Sequence, residues 1–242
     1  MSLKAVLFDL DDTLLGNNMD RFLAGYFPLL SDYVKEYIAP DNFIEELMIG
    51  TRAMIENTDK ERTNRDIFWE VFCSRTDLDC LQFEPHVAKF YEDEFYKLEG
   101  LSQRKSAAKG LVEYCFNQEM KVAIATNPLF PMSAIKQRLK WAGVPTDKYN
   151  YSIVTAYENM HAAKPHAAYY EEILKAIDVS ADEALMVGDN WNNDMVPTAA
   201  LGIKTYWITE VDEVDSKKMS IIDGYGSLES LRDLLTTDWL PD

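Results

Sequence analysis

Short apolar runs recur along the chain, and in its second half they alternate with stretches of helical periodicity. Five runs have the length and composition of buried strands: Leu3–Asp9, Lys121–Thr126, Ser152–Thr155, Ala184–Gly188 and Lys204–Ile208. Alternation of such runs with helices is typical of a parallel sheet joined by crossover helices. The pattern therefore predicts an α/β fold built on a parallel sheet.

Four helices are expected beside these strands: Met132–Ala142, His166–Ile177, Asn193–Leu201 and Leu228–Leu235. Gly143 and Pro145 follow the first of them, and both residue types commonly end helices. Pro165 precedes the second, where proline suits the first helical turn.

A long segment without strand signals separates the first two predicted strands. Its apolar residues recur at helical spacing in four stretches: Met19–Ile38, Asn42–Glu56, Arg65–Ser74 and Glu84–Leu98. Pro40 interrupts the pattern after the first stretch, and Asp41 is the expected N-cap of the second. The segment is too long for a single crossover. We therefore predict a helical bundle inserted at residues 16–98 into a core formed by residues 1–15 and 99–242.

Two acidic residues, Asp9 and Asp11, come at the end of the first predicted strand, in the octet Phe8-Asp9-Leu10-Asp11-Asp12-Thr13-Leu14-Leu15. Carboxylates this close resist joint ionisation unless a cation lies between them. Ligands of open α/β sheets bind at the carboxyl ends of strands. The pattern indicates one carboxylate that attacks, a second that moves protons and a divalent metal ion.

Three further polar segments follow in order along the chain. The second predicted strand ends in Thr126 and Asn127, and Lys164 lies in Ala163-Lys164-Pro165. The fourth strand continues into Val187-Gly188-Asp189-Asn190-Trp191-Asn192-Asn193-Asp194. With the octet, these segments resemble the four ordered motifs of the haloacid dehalogenase (HAD) superfamily: Asp-x-Asp-x-Thr, a strand-ending Thr or Ser, a Lys, and Gly-Asp-x4-Asp.

This resemblance implies a Rossmann-like, three-layer α/β/α core. A helical insert between the first and second motifs is the type 1 cap of the superfamily. The interval from Asn127 to Lys164 is filled by one predicted helix and one predicted strand. That interval leaves no room for the larger α/β type 2 cap, so the insert at residues 16–98 is expected to be the cap.

The resemblance also implies the roles of the catalytic residues. Asp9 would be the nucleophile, Asp11 the general acid and base, and Lys164 the fixed cation beside them. Mg²⁺ is the implied cofactor, held by Asp9, the backbone carbonyl of Asp11, and Asp189. Asp194 would stand behind these ligands or bind the ion through water.

Phosphate binding is implied for a further group of residues. Thr126 and the backbone N–H of Asn127 would hold phosphate oxygens at the end of the second strand, together with Lys164. Leu10, between the two acids of the octet, belongs to the same predicted binding set.

The function implied is a magnesium-dependent phosphatase that hydrolyses a small phosphorylated metabolite through an aspartyl-phosphate. Candidate substrates are nucleoside monophosphates, sugar phosphates and phosphoglycolate. A phosphomutase of the β-phosphoglucomutase type is the main alternative. A haloacid dehalogenase would need neither the metal nor Asp11. A non-catalytic phosphate-binding module is expected to lack at least one of Asp9, Asp11, Lys164 and Asp189, and all four are present.

The composition of the chain restricts the classes of molecule that it is expected to bind. The formal net charge of −17 disfavours nucleic acid and anionic membranes. No apolar run is long enough to span a membrane, and no signal peptide is evident. The protein is expected to be a monomer or a homodimer. Cys73, Cys80 and Cys115 match neither a zinc pattern nor a disulfide framework. We expect them to be reduced packing residues, which favours a reducing cytoplasm as the location.

Several other residues have open or structural interpretations. Trp191 is either a substrate contact or an anchor of its loop. The histidines His86, His161 and His166 are expected to be structural rather than metal ligands. Four arginines could reach a second anionic group of the substrate, although exposed arginine is the common case: Arg21, Arg52, Arg62 and Arg65.

Overall fold

A six-stranded parallel sheet forms the centre of the molecule. The computed structural model describes residues 3–211, 213–237 and 239. The strands, numbered along the chain, are β1 (Ala5–Phe8), β2 (Leu15–Gly16), β3 (Gln103–Arg104), β4 (Lys121–Ile124), β5 (Ile153–Val154), β6 (Ala184–Gly188), β7 (Lys204–Ile208) and β8 (Gly224–Gly226). The sheet has the order β5-β4-β1-β6-β7-β8, whereas β2 and β3 form a separate antiparallel pair. All five predicted strands are confirmed; β2, β3 and β8 were not predicted.

Helices cover both faces of this sheet. They are α1 (Met19–Val34), α2 (Pro40–Ile55), α3 (Asn64–Arg75), α4 (Cys80–Asp93), α5 (Ser106–Asn117), α6 (Met132–Ala142), α7 (Ala167–Ile177), α8 (Val196–Ala200), α9 (Ser216–Met219) and α10 (Leu228–Leu234). A 3₁₀ helix at Phe95–Leu101 follows α4, and a π-helical turn at Trp191–Met195 precedes α8. The predicted helices are confirmed, α6 with its predicted bounds and the others with shifted ends, and α5 and α9 are additional.

Strand β1 lies at the centre of the sheet, paired with β4 on one side and β6 on the other. All four of its residues are fully buried. Val6 and Phe8 belong to the apolar cluster on one face, while Ala5 and Leu7 belong to the cluster on the other face. A strand covered on both faces needs a continuous apolar run rather than an alternating one. The predicted three-layer α/β/α architecture is therefore confirmed.

The helices α1–α4 lie between β2 and β3 along the chain. Pairing of Leu15 with Arg104 and of Gly16 with Gln103 holds the two ends of this helical segment side by side. A Cβ atom at Gly16 would lie 3.0 Å from the Gln103 carbonyl oxygen, which is tight, so this close pairing favours glycine. The division into a cap at residues 16–98 and a core stays a prediction, and this arrangement supports it.

The start of α2 differs from the expectation. Its N-cap is Ala39 and Pro40 is the first helical residue, so Asp41 lies inside the first turn and the N-cap prediction is wrong. Proline is favoured at this position because its fixed φ suits the helix and its missing N–H has no helical partner there. Asp41 still places a negative charge at the positive end of the helix dipole.

The cysteines also differ from the expectation. Cys73, near the end of α3, forms a disulfide with Cys80, the first residue of α4, and their Cα atoms are 6.0 Å apart. The prediction of three reduced cysteines is therefore wrong for this pair, and cysteine usage gives no argument for a reducing compartment. Cys115 is free and buried, and burial raises the pKa of its thiol to about 12.

An aromatic cluster joins the helical segment to the core. Tyr26 of α1 packs edge-on against Phe130, with ring centroids 5.4 Å apart. Phe95 stacks on Trp141 of α6 at 5.5 Å. Aromatic rings bury large areas, so these contacts fix the helices over the sheet edge where β1 and β4 end. Among the described residues, no helix is long and apolar enough to cross a membrane.

Candidate active site

The predicted site residues come together because three adjacent strands end at the same edge of the sheet. Asp9 follows β1, Thr126 and Asn127 follow the end of β4, and Asp189 follows β6. The ladder continues one residue further, since the Asp9 N–H donates to the Val187 carbonyl at 2.9 Å. Parallel strands in the order β4-β1-β6 therefore bring these side chains to one cleft.

Lys164 lies at the centre of this group. Its Nζ donates to Asp9 Oδ1 at 2.7 Å and to Asp194 Oδ1 at 2.6 Å. Its backbone N–H donates to Asn127 Oδ1 at 3.1 Å, which ties the lysine segment to the end of β4. Burial disfavours the ammonium, but Asp194 and Asp9 outweigh burial and raise the pKa of Lys164. Lys164 is therefore a fixed positive charge inside the cleft.

Three carboxylates surround this one ammonium. Oxygens of Asp9, Asp189 and Asp194 all lie within 4.8 Å of one another. Burial, with the neighbouring carboxylates adding to it, raises the pKa of Asp9, and the same causes raise the pKa of Asp189 to about 6. Clustered oxygen ligands with excess negative charge are what Mg²⁺ and other hard cations bind. The residues present therefore fit a divalent metal ion.

The three aspartates differ in how many of their carboxylate oxygens already accept a hydrogen bond. Asp194 accepts from Lys164 through Oδ1 and from the Asn190 N–H through Oδ2 at 2.9 Å. Asp9 accepts from Lys164 through Oδ1, and among the described residues nothing donates to its Oδ2. Asp189 accepts a long hydrogen bond of 3.4 Å from Thr13. Asp9 and Asp189 thus keep more capacity for a ligand than Asp194.

Asp11 points away from this cluster. Its Oδ1 accepts from Asn17 Nδ2 at 2.7 Å, and its Oδ2 accepts from Arg138 Nη1 at 2.5 Å. Arg138 is 1% exposed, and its guanidinium lies over the Phe130 ring at 4.6 Å from the centroid. Two polar groups therefore hold the side chain of the predicted acid and base.

The sequence prediction did not include Arg138 or Asn17. One signal was available for the arginine, because it stands on the apolar face of α6 between Ile135 and Leu139, all three of them buried. A cation in such a position is rarely left without an anionic partner. The identity of that partner, however, depends on how α6 packs against the loop after β1.

The loop after β1 takes its shape from backbone contacts. The Leu10 carbonyl accepts from the N–H groups of Leu14 and Leu15 at 3.0 and 2.9 Å. Asp12 has a left-handed backbone with φ of +54°, and its carbonyl accepts from Lys105 Nζ. Such a tight turn displays backbone groups toward the cleft.

The predicted phosphate-binding residues line the same cleft. The side chain of Leu10 is buried in the core, so only its backbone can reach a ligand. Among the described residues, the N–H groups of Leu10 and Asn127 make no hydrogen bond. The Thr126 carbonyl accepts from the hydroxyls of Thr155 and Tyr169, both at 2.7 Å, which fixes the end of β4. These free donors suit an anion.

A cavity of about 380 Å³ extends from the acidic cluster toward α1–α4. Its floor consists of polar core residues, including Asp9, Asp11, Thr126 and Lys164. Its walls on the other side are mostly apolar and aromatic side chains of α1–α4. The site is thus a concave pocket with charges at one end, which is the usual form of a small-molecule site.

Other singled-out residues lie outside this cavity. Trp191 packs against Trp207 with ring centroids 5.2 Å apart, and Lys218 Nζ lies 4.8 Å from its ring, so Trp191 anchors its loop. The histidines fill structural positions: His86 stacks on Tyr33, and His161 contacts Glu172.

The four arginines also lie outside the cavity. Arg52, Arg62 and Arg65 form surface ion pairs with nearby acids, and none of them lines the cavity. The N–H of Arg21 donates to Asn18 at the start of α1.

Comparison with known proteins agrees with this geometry. Over 89 residues the chain is 32% identical to a glyceraldehyde 3-phosphate phosphatase of Pyrococcus abyssi, a match that spans 37% of each chain. It is 26% identical over 211 residues to the pyrophosphatase PpaX of Bacillus cereus, covering 85% of this chain and 82% of that one.

A solved structure extends the comparison of the fold. The 2-haloacid dehalogenase of Pseudomonas syringae pv. Tomato superposes with a TM-score of 0.61 at 18% identity, covering 97% of this chain and 98% of that one. At this identity the similarity shows a shared fold and no shared chemistry. Residues 3–202 match the family of haloacid dehalogenase-like hydrolases. The four motifs, the parallel sheet and this match together show that the chain belongs to the haloacid dehalogenase-like hydrolase family.

Proposed function

We propose that this protein is a magnesium-dependent phosphatase that hydrolyses a small phosphate monoester through an aspartyl-phosphate on Asp9. The observation that carries the proposal is the pairing of Lys164 with one oxygen of Asp9, while no group in the described part of the chain donates to the other oxygen. That arrangement leaves one oxygen of a fixed carboxylate to attack phosphorus. The names of the sequence relatives, a phosphatase and a pyrophosphatase, support hydrolytic release of phosphate.

The metal would be held by Asp9 and Asp189, with the backbone carbonyl of Asp11 as a third ligand. Asp194 would support the site from behind, because both of its oxygens already accept hydrogen bonds. When bound, Mg²⁺ would neutralise the negative charge that the phosphate adds to three carboxylates. Lys164 supplies one further positive charge beside the same oxygens.

In the first step Asp9 Oδ2 attacks the phosphorus atom. The bond between phosphorus and the ester oxygen breaks, and Asp11 gives a proton to that leaving oxygen. The products are the free alcohol and a phosphoryl group on Asp9. The free N–H groups of Leu10 and Asn127, with the side chains of Thr126 and Lys164, bind the oxygens of the transferring group.

In the second step a water molecule attacks the phosphoryl group. Asp11 removes the proton from this water, the bond between phosphorus and Asp9 breaks, and inorganic phosphate leaves. The Asp9 carboxylate is restored. Asp11 thus acts first as an acid and then as a base. Its carboxyl group must therefore be able to break and re-form its hydrogen bonds to the protein during the reaction.

Arg138 and Asn17 are the residues that hold Asp11. Both oxygens of Asp11 are occupied by these two donors, so the carboxylate must turn away from at least one of them to exchange a proton with substrate. These hydrogen bonds join Asn17 and Arg138 to Asp11 and not to the three clustered aspartates, Asp9, Asp189 and Asp194. We therefore assign Arg138 and Asn17 as positioning residues for the acid and base.

Two alternatives use the same fold. A dehalogenase transfers an alkyl group and needs no second acid, whereas Asp11 is present here with its own set of polar partners. A phosphomutase must hold a second phosphate, and the cavity walls formed by α1–α4 carry no cation. Both observations favour hydrolysis of a monoester.

The test is phosphate release from a panel of phosphorylated metabolites, with and without Mg²⁺. We expect magnesium-dependent release of inorganic phosphate. With a substrate labelled in its phosphate group, rapid acid quench should leave the label on Asp9. Halide release from haloacids without metal would show the dehalogenase instead. Isomerisation of a sugar phosphate that outpaces phosphate release would show the mutase.

A further inference from the structure

The cavity has a charged end and an uncharged end. All charged lining residues come from the core or from the loops that follow its strands. The fifteen lining residues from α1–α4 include no Asp, Glu, Lys, Arg or His, and all four helices are described in full. The end that would receive the leaving group of the substrate is therefore without charge.

The polar atoms at this uncharged end are mostly committed to other protein groups. Thr51 Oγ1 donates to the Leu47 carbonyl at 2.8 Å. The hydroxyls of Tyr26 and Tyr91 hydrogen-bond each other at 2.6 Å. Trp69 is the exception, since its buried indole N–H makes no hydrogen bond of ordinary geometry to the described residues, although it interacts with Tyr157. A sugar placed here would leave most of its hydroxyls without hydrogen bonds, and each such loss lowers affinity.

The uncharged end also lacks a group that could bind a second phosphate of the substrate. The guanidinium of Arg138 is the cation of the lining besides Lys164, and Asp11 already occupies one of its N–H groups. Its Nε and Nη2 are buried without partners, but they lie against packed side chains with almost no accessible surface. Among the described residues that line the cavity, a second phosphate of a substrate thus finds no free cation on α1–α4.

We propose that the natural substrate is a phosphate monoester whose leaving group is apolar, with a chain or ring that fills the end of the cavity formed by α1–α4. This inference rests on the proposed phosphatase function and names its substrate class. A cavity of about 380 Å³ is at the lower end of the size range for small-molecule sites. It accommodates the phosphate and a leaving group of modest size.

A series of n-alkyl phosphates tests this directly, because chain length changes burial and leaves the chemistry of the ester nearly constant. Each methylene buried in the cavity should raise kcat/KM roughly fourfold, so hexyl phosphate should exceed ethyl phosphate by about a hundredfold or more. Glucose 6-phosphate and glyceraldehyde 3-phosphate should fall below hexyl phosphate. A flat or falling series, or a preference for the sugar phosphates, would overturn the proposal.

Two matched variants on α1 locate the effect. Leu23 lines the cavity and Leu29 does not, although both are partly buried leucines of the same helix. Leu23→Asn should lower the ratio of kcat/KM for hexyl over ethyl phosphate by about tenfold. Leu29→Asn should leave that ratio unchanged. Equal ratios in the two variants would place the chain-length preference outside this cavity.

Failure of the substrate class and failure of the function are distinguishable. p-Nitrophenyl phosphate, an activated ester, reports the chemistry without relying on the cavity. If neither it nor any alkyl phosphate releases phosphate with Mg²⁺, the proposed phosphatase function is wrong. If these esters are hydrolysed without any increase along the alkyl series, the function stands and the apolar substrate class is wrong.

Discussion

The two ends of the active-site cavity are built by different means. At the core end, charged side chains meet at the strand ends, and short hydrogen bonds from Lys164 fix Asp9 and Asp194. At the opposite end, called the cap end here because the predicted cap helices α1–α4 form it, side chains from four helices meet through ring contacts and apolar burial. The difference suggests that the core end determines the reaction, while the cap end determines which leaving group fits.

Asp9→Asn should have the largest effect, because covalent catalysis depends on this carboxylate. We expect kcat to fall about a thousandfold or more with the fold retained. Asp12→Asn is the matched control in the same turn, since asparagine tolerates the left-handed backbone at that position. A folded Asp9→Asn protein that keeps more than about a tenth of the wild-type kcat would contradict the nucleophile assignment.

Removal of the metal should affect the core end alone. Chelation should reduce phosphate release to below about 1% of its starting rate, and added Mg²⁺ should restore it. Ca²⁺ should inhibit, because its coordination is larger and looser. The measurement is phosphate release during a metal titration. Full activity in excess chelator would show that the acidic cluster of Asp9, Asp189 and Asp194 has no metal-dependent role.

Phe83→Ala should affect the cap end alone. Phe83 is 1% exposed, stacks on Phe72 at 5.7 Å and does not line the cavity. We expect the free energy of unfolding in urea to fall by about 3–5 kcal/mol. Hydrolysis of p-nitrophenyl phosphate by the folded fraction should stay close to wild type. A loss below about 1 kcal/mol would mean that this aromatic cluster contributes little to cap stability.

Arg138→Met tests the link between the two ends, because α6 carries this residue beneath the cap helices. We expect kcat to fall about ten- to a hundredfold with little change in KM, since Arg138 acts through Asp11. Arg138→Lys should recover part of the loss. Steady-state kinetics on one ester gives both constants. A higher KM at unchanged kcat would instead make Arg138 a substrate-binding residue.

The smallest effect is expected from the Cys73–Cys80 disulfide, which closes a loop with a sequence separation of 7. A loop this short should contribute about 2 kcal/mol to stability. Reduction should therefore lower the free energy of unfolding of the wild type by that amount and leave kcat unchanged. Cys73→Ser should show no response to reductant. If reduction left the free energy of unfolding of the wild type unchanged, the Cys73–Cys80 disulfide would not stabilise the cap.

Local signals predicted some elements closely. The bounds of α6 match the prediction because Gly143 adopts a left-handed backbone, φ +80°, that ends the helix. The segment predicted as a helix at Asn193–Leu201 instead begins with a π-helical turn at Trp191. There the Asn190 side chain accepts from the N–H groups of Asn192 and Asn193. This cap depends on a side chain outside the helical pattern.

Strand β8 was missed for a different reason. Its residues, Gly224–Gly226, include two glycines and carry no apolar alternation, and the strand pairs with β7 alone at the edge of the sheet. A short edge strand needs few buried side chains, so it leaves little trace in the hydrophobic pattern. Its position is set by the neighbouring strand rather than by its own sequence.

The sequence by itself determined the class of fold and the residues at the core end of the site. Asp9, Thr126 and Asp189 each follow an apolar run, and parallel strands must end at a common edge, so residues far apart in the chain could be grouped without coordinates. The order of the four motifs then identified the family.

Only the tertiary structure decided which helix faces meet. It placed Arg138 against Asp11, paired Cys73 with Cys80 and closed a cavity whose end at α1–α4 carries no charge. Each of these contacts joins side chains from separate elements. Helical periodicity shows which face of an element is buried, but not which residue of another element lies opposite it.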